Sequence, residues 1–537
     1  MEKRLIVFLV LSLAIIFAYP FVMERVVGPT PKAPEVKQLP IESKQENAPS
    51  PQTPVPMEVP LVEEKNEKEK VIESDLYRVV LSNIGGTIKE WQIKKYTKKS
   101  ATGEHAPIEL IPRNGKTLPL TIVTPEEPNG SKQLYSLDNQ SVQLSREKPE
   151  AVVTLTSVDP DGRKITKELT FHYDHYLVET QIKTEGYSQG YEISLGTNFG
   201  IEDWGQEFGG SVGAISLVNG ELFKEKEAKI TGTIMHEGAV SWAALQDKYF
   251  ISALIPKEAA QSGPISVKKE GEKQIRVDLK VPPDQAAQKG FSLYAGPKEY
   301  DRLAQVGANF EESIDFGWFI MGSWLPVRLV AKPLYFIIRF LHRFSHNYGV
   351  AIILVTVLVK VLFFPITRKS LSSMKGMAAI QPKIAAARKK YAGDREKMNR
   401  ELMNLYKEHK INPLGGCLPM VVQIPVFIAL FNILYTTIDL RQAPFILWIH
   451  DLSDKDPYYV LPVIMGISMF FQQLTQPTTM DPTQAKVMLF LPVIYTFFFL
   501  NFPSGLVLYW LVNNLLSIGQ QYLINREGLV IPKAGTT

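Results

Sequence analysis

Apolar residues gather in two regions of this chain, and the stretch between them alternates. Positions 5–23 are apolar except for Ser12, with Lys3 and Arg4 just ahead. A run of that length suffices for a bilayer-spanning helix. A cleaved signal peptide is the competing reading, but the run ends in Tyr19-Pro20-Phe21-Val22-Met23 rather than in small residues. A retained anchor over 1–27 is expected, with Lys3 and Arg4 keeping the N-terminus cytoplasmic.

Residues 28–70 carry nine prolines between Pro29 and Pro60 and then a charged run over 63–70. Such a segment cannot bury a core and reads as a disordered tether. From 71 to 310 the pattern alternates: Tyr77-Arg78-Val79-Val80-Leu81, Ala151-Val152-Val153-Thr154-Leu155 and Tyr176-Leu177-Val178-Glu179-Thr180-Gln181-Ile182 read as strands. Gly85-Gly86, Asp159-Pro160-Asp161-Gly162 and Asn219-Gly220 supply turns. Many short strands between such turns predict a β-sandwich or barrel, doubled or extended at this length.

Residues 311–346 are mixed. Over 334–344 the apolar residues recur at three and four, with Arg339, His342 and Arg343 on another face. This predicts an amphipathic helix lying in the membrane surface, against the plainer reading of a helix packed on the soluble domain. Five further apolar segments follow at roughly 347–366, 414–437, 458–475, 487–502 and 504–524. The chain is therefore expected to be a polytopic α-helical membrane protein of six transmembrane helices, five forming a core over 347–526. A large all-β domain stands outside, and a tail over 527–537 lies inside.

Charge sets the orientation. The formal total over 537 residues is only +4, yet 367–412 hold twelve Lys/Arg against four Asp/Glu. That basic loop belongs in the cytoplasm. The next loop, 438–457, has Arg441 and Lys455 against Asp439, Asp451, Asp454 and Asp456, and belongs outside. Counting back puts the β-domain outside, in agreement with the N-terminal anchor. The single cysteine, Cys417, excludes an internal disulfide and any cysteine-based metal cluster.

The basic loop itself reads as a helical hairpin, 370–390 and 395–410, with the turn Tyr391-Ala392-Gly393-Asp394. Met374, Met377, Met398 and Met403 give it a pliable apolar stripe, and Lys383 and Arg388 are among its cations. It either sets topology alone or docks acidic, RNA-rich or apolar partners.

Within the five late segments one charge stands well inside: Lys360. A charge at bilayer depth costs on the order of 2.5–3.5 kcal/mol and marks a candidate functional site. Snorkelling is the alternative, but Arg368 is eight residues on, roughly 12 Å at 1.5 Å per residue, beyond a lysine's reach. Thr356, Lys360 and Thr367 fall on one helical face, as do Ser468, Gln472 and Gln476, and Asn513, Ser517 and Gln520 or Gln521. Gln423 sits early in its segment. By the inferred topology these groups all occupy the cytoplasmic half, Asn432 excepted. That asymmetry describes a recess open to the cytoplasm rather than a channel.

Catalytic signals are missing from the sequence. Gly115-Lys116-Thr117 lacks the earlier glycine of a phosphate loop, with Leu110 in its place. His172 and Asp174 share a strand face, more in keeping with a surface strand than with a metal site. No cofactor and no metal are expected.

Three stretches carry a resemblance. They are Asn412-Pro413-Leu414-Gly415-Gly416-Cys417-Leu418-Pro419, Arg441-Gln442-Ala443-Pro444-Phe445-Ile446-Leu447-Trp448-Ile449-His450-Asp451-Leu452 and Phe502-Pro503-Ser504-Gly505-Leu506-Val507-Leu508-Tyr509. Together they closely resemble the YidC family of bacterial membrane protein insertases, in its Gram-negative form, over about 311–526. The resemblance implies insertion of nascent inner-membrane proteins from translating ribosomes into lipid, alone or beside the Sec translocon. It implies a periplasmic β-super-sandwich and a hydrophilic groove open to cytoplasm and lipid. It also implies a cytoplasmic hairpin needed for activity, and no sequence-specific nucleic-acid contact. The groove's basic residue, usually Arg in the family, matches Lys360; charge is kept and the bidentate fork is lost. Thr356 matches a groove threonine, and Trp510 stands where a client-contacting aromatic is found. A small-solute transporter is the competing function.

Overall fold

The strand Glu150–Val158 alternates exposed and buried side chains along its length, the signature of a sheet with one face on a core. It pairs antiparallel with Lys164–His172, and that strand with Leu177–Glu185. The connection is fixed by Asp159, whose carboxylate accepts from the amides of Asp161 and Arg163 at 2.9 Å and from Arg163 Nε at 2.6 Å. Gly162, at φ +79°, supplies the left-handed residue this turn requires. By contrast Gly213–Val218 and Phe250–Pro256 are buried at every position, as befits strands covered on both faces.

A computed structural model describes residues 67–99, 105–126, 130–202, 212–258, 263–316, 325–391, 394–409, 418–475 and 482–526. The anchor, nearly all of the tether, Trp318, Trp324, Cys417, Gln476 and the tail lie outside them. The β-region holds an eight-stranded and two five-stranded sheets. In the large sheet Phe250–Pro256 and Gln288–Pro297 are central, with Glu221–Lys226 and Glu150–Val158 at its edges. One apolar core runs through all three, with Trp91, Phe171, Tyr176, Trp242, Phe250 and Phe291 fully buried. An extended all-β sandwich is what the alternation predicts. Inside it the Lys167 ammonium donates to the carbonyls of Gly85 (2.8 Å), Gly86 (2.9 Å) and Leu120 (2.7 Å). Burial pushes its pKa down to about 7.

Ten α-helices follow among the described residues: α1 (Tyr300–Val306), α2 (Leu325–Ser345), α3 (Tyr348–Leu362), α4 (Phe364–Ala379), α5 (Gln381–Lys390), α6 (Arg395–Glu408), α7 (Leu418–Thr436), α8 (Val460–Thr475), α9 (Pro482–Phe499) and α10 (Ser504–Arg526). The segment expected as one span over 347–366 stops at Leu362, and α4 leaves at 61°. Pro365 lies in the first turn of α4; proline disfavours a helical residue before it and removes a donor. Thr367 thus lies on α4, off the face that Thr356 and Lys360 share, and its hydroxyl donates to Phe363 O at 3.1 Å. The first arm of the hairpin, expected as one helix over 370–390, is likewise divided at Ile380 ahead of Pro382. Asp394 caps α6 by accepting from Lys397 N at 3.0 Å. Among the described residues no single helix is long and apolar enough to cross a membrane; α3 and α4 pass that test only as a bent pair.

Helix α2 buries Val327, Ala331, Leu334, Tyr335 and Ile338, and exposes Leu329, Phe336, Phe340 and Phe344. It packs on α3 and α7, rather than on the β-domain alone, and keeps an apolar outer face. The β-region sits against this end of the bundle. Arg339 holds the Asp301 carboxylate with two nitrogens. Tyr335 donates to Asp439 at 2.9 Å, and Arg441 to Thr97 O at 2.7 Å. Lys248 lies 3.6 Å from the Tyr435 ring centre.

Candidate functional site

The polar residues of the bundle form two seams, both built on α10. In the first, Lys360 near the end of α3 donates from Nζ to Ser517 Oγ at 2.7 Å, and Ser517 donates in turn to Asn513 O at 2.7 Å. Gln520 Nε2 donates to Lys360 O at 3.1 Å. One side chain of α10 thus holds the ammonium and another the backbone of the same residue. Lys360 has no carboxylate partner among the described residues. Asn513 Oδ1 and Gln520 Oε1 are buried acceptors without a donor among the described residues. Buried polar atoms of this kind are normally satisfied, so water or a visiting chain is the natural donor.

The second seam joins α10 to α8. Asn514 Nδ2 donates to Ser468 Oγ at 3.0 Å, both residues being buried. Gln521 and Thr475 share a hydrogen bond one turn or two further on. Gln472 is half-buried, and its carbonyl accepts from Thr475 Oγ1 at 2.8 Å. Gln423 of α7 donates to the Tyr509 hydroxyl at 3.0 Å.

Toward the start of α10 the character changes. Trp510 meets Phe427 edge-on at 4.9 Å, Phe499 at 5.0 Å and Tyr495 at 6.1 Å. This aromatic wall ties α7, α9 and α10 together, and the polar seams begin only at Asn513. Asn432, the outlying polar residue of α7, is fully buried and donates to Phe316 O at 2.8 Å.

Of the residues expected to act together, the structure brings Lys360, Asn513, Ser517 and Gln520 into one network. Thr356 is buried, and its hydroxyl donates to Ile352 O at 2.6 Å within its own helix. Gln423 and Gln472 belong to other contacts, and Trp510 to the aromatic wall. Asn514, Tyr509 and Thr475 escape the sequence reading. A second stripe, Asn514 and Gln521 at i and i+7, is the signal that could have found the first of them.

In the hairpin, Ile384 and Ala387 of α5 are buried. Met374, Met377 and Met398 are half-buried, and Met403 is exposed. Lys383 Nζ lies 2.9 Å from His409 Nε2, and His409 Nδ1 lies 2.9 Å from Leu405 O. Arg388 is exposed with its neighbours Lys389 and Lys390. Among the described residues no three His, Cys, Asp or Glu side chains stand together as metal ligands. His172 instead packs on His175, ring centres 4.4 Å apart. Such a bundle offers a cation, hydroxyls and amides. It can bind and orient a polar segment.

Two family models match the chain: the YidC periplasmic domain over residues 69–337 and the 60Kd inner membrane protein over residues 340–530. The membrane protein insertase YidC of Syntrophus aciditrophicus is 38% identical, across 98% of this chain and 100% of the relative. That of Geotalea uraniireducens is 37% identical, across 98% and 99%. Among solved structures, an active YidC insertase crystal structure with the first transmembrane domain resolved matches at 18% identity and a TM-score of 0.37, covering 85% of this chain and 94% of the other.

Proposed function

The chain belongs to the YidC family of membrane protein insertases, and we propose from that membership that its Lys360 network receives client segments on their way into lipid. It is an inner membrane protein with a periplasmic domain, nascent membrane proteins are its clients, and it is not an enzyme. The transporter reading finds no support among its relatives.

The finer reading is as follows. Six segments cross the membrane: the N-terminal run and the segments built on α3, α7, α8, α9 and α10. Both termini are cytoplasmic and the β-region is periplasmic. The positive charge of the hairpin, α5 and α6, supports a cytoplasmic place for it. There it meets the translating ribosome, and the Sec translocon is a lateral partner. Lys360, Asn513, Ser517 and Gln520, with Gln423 and Gln472 beside them, hold the polar or acidic part of a client below the Trp510 wall. The client's apolar part passes along the exposed faces of α3 and α10 into lipid.

The observation that carries this is the pairing of a half-buried ammonium with two buried amide oxygens on the same helix pair, the first without a carboxylate and the others without a donor among the described residues. A client supplies both missing partners. With Cys417 replaced, single cysteines through the five segments, probed by a water-soluble thiol reagent, test it. Reagent reaching Ser517→Cys from the cytoplasmic side alone is expected. Equal access from the periplasmic side overturns the recess.

A further inference from the structure

The connection between α7 and α8 carries an apolar tip that no described residue covers. Leu447 is 75% exposed, Ile446 54% and Tyr458 69%, while Trp448 is half-buried at its base. Loops that face water rarely end this way, and large exposed apolar residues in a group mark a contact surface.

The tip is rigid. Phe445 N donates to Ile449 O at 2.9 Å, Ile449 N to Ile446 O at 3.1 Å, and Leu452 N to Ala443 O at 3.0 Å. Asn347 at the start of α3 donates from Nδ2 to Phe445 O at 2.9 Å. Gly349 gives the Phe445 ring its seat, for a Cβ there would collide with it. Asp456, fully buried, accepts from Trp448 Nε1 at 2.9 Å, Tyr458 N at 3.0 Å and Leu461 N at 2.6 Å. Asp439 is half-buried and accepts from Tyr335. Two carboxylates that mark this loop as periplasmic are thus turned inward, and the tip itself is free of charge.

We propose that Ile446 and Leu447 are a wedge held in the outer leaflet of the membrane, with Trp448, Tyr458 and Tyr459 at headgroup level. The occupant is lipid because the tip continues surfaces that face it. Tyr459 leads straight into α8, whose Val463, Ile464 and Ile467 are exposed, and Phe445 is seated on α3, whose Leu354 and Leu358 are exposed. Aromatic rings beside a short aliphatic tip fit the boundary between headgroups and acyl chains. The loop is then a second fixed depth marker, on the face of the membrane opposite the basic hairpin. This rests on the orientation proposed above.

The test uses the full chain with Cys417→Ser and one new cysteine, Leu447→Cys or His450→Cys; His450 is exposed three residues away. In spheroplasts an impermeant maleimide is expected to label His450→Cys readily and Leu447→Cys about tenfold more slowly, because the reactive thiolate forms poorly in apolar surroundings. A fluorophore attached at Leu447→Cys in single-copy nanodiscs is expected to be quenched by lipid bearing a shallow nitroxide. Equal labelling of both cysteines from outside overturns the wedge and leaves the orientation standing. Shielding without nitroxide quenching also overturns it, since a protein and not lipid then covers the tip. Labelling of His450→Cys only after permeabilisation overturns the orientation.

Discussion

Lys360 Nζ lies 2.7 Å from Ser517 Oγ, so the one charge well inside the late segments is held by the helix that ends the described chain. A serine hydroxyl asks only for a donor, and a guanidinium supplies one as well as an ammonium does. Lys360→Arg is therefore expected to keep insertion. Lys360→Glu reverses the charge beside the unpaired Asn513 and Gln520 oxygens and is expected to lower insertion of clients with acidic segments by about tenfold or more, equivalent to ~1.4 kcal/mol. Insertion assayed in reconstituted vesicles decides it; equal yields from all three proteins remove the electrostatic role.

Asn514 binds Ser468 across the α8–α10 seam, away from Lys360. Asn514→Leu is expected to cost about 0.6–1.7 kcal/mol of bundle stability, the range for hydrogen bonds between helices in membranes. Thermal unfolding in detergent should show the loss. Insertion by the surviving protein should be close to normal, which sets this seam apart from the first one.

Glu299 joins the β-region to α1: Lys95 and Tyr96 reach its Oε1 at 2.7 Å and Arg302 its Oε2 at 2.8 Å. Burial alone would raise its pKa, but these donors hold it below the ordinary 4.5. A carboxyl group whose folded pKa is depressed stabilises the fold fully above its unfolded value and loses that contribution as pH falls through the folded one. Acid sensitivity is therefore expected below about pH 4.5. Glu299→Gln should lower the Tm at neutral pH and flatten its fall in acid. An unchanged acid slope in the variant would exclude Glu299 as the source.

Gly466 of α8 faces Thr496 of α9 so closely that a Cβ would strike the Thr496 hydroxyl. Gly466→Ala is expected to destabilise by about 1–3 kcal/mol through overpacking. Adding Thr496→Ala removes the obstructing oxygen and should restore most of the loss. Failure of the double variant to recover in detergent unfolding would mean the strain lies elsewhere.

The β-region was legible because a half-buried sheet writes its period into the chain: Ala151, Val153 and Leu155 point inward and their neighbours outward. The turn at Asp159 and the cap at Asp394 are equally local. The bend at Phe363 was hidden, since hydropathy runs on through Phe363 and Phe364 and only Pro365 hints at the break. The Lys360 network was half legible. Spacing along α10 groups Asn513, Ser517 and Gln520, but which helix each face meets depends on packing between segments far apart in sequence. The same holds for Arg441 and Thr97, joined across 344 positions. Asp439 and Asp456 counted as solvent charges in the sequence, yet the first is half-buried and the second buried, because a composition argument does not see which carboxylates become internal caps.

Helix α3, which shares the Lys360 seam with α10, is short. It has 15 residues between its caps Asn347 and Phe363, about 22 Å at 1.5 Å per residue, against a hydrocarbon thickness of roughly 30 Å. On the membrane crossing proposed above, lipid beside it would pinch inward to match, for a bilayer bends more cheaply than it wets bare chain ends. An arriving polypeptide would then meet a narrowed oily barrier beside Lys360, with part of the work of translocation done by the shape imposed on the membrane before any client arrives.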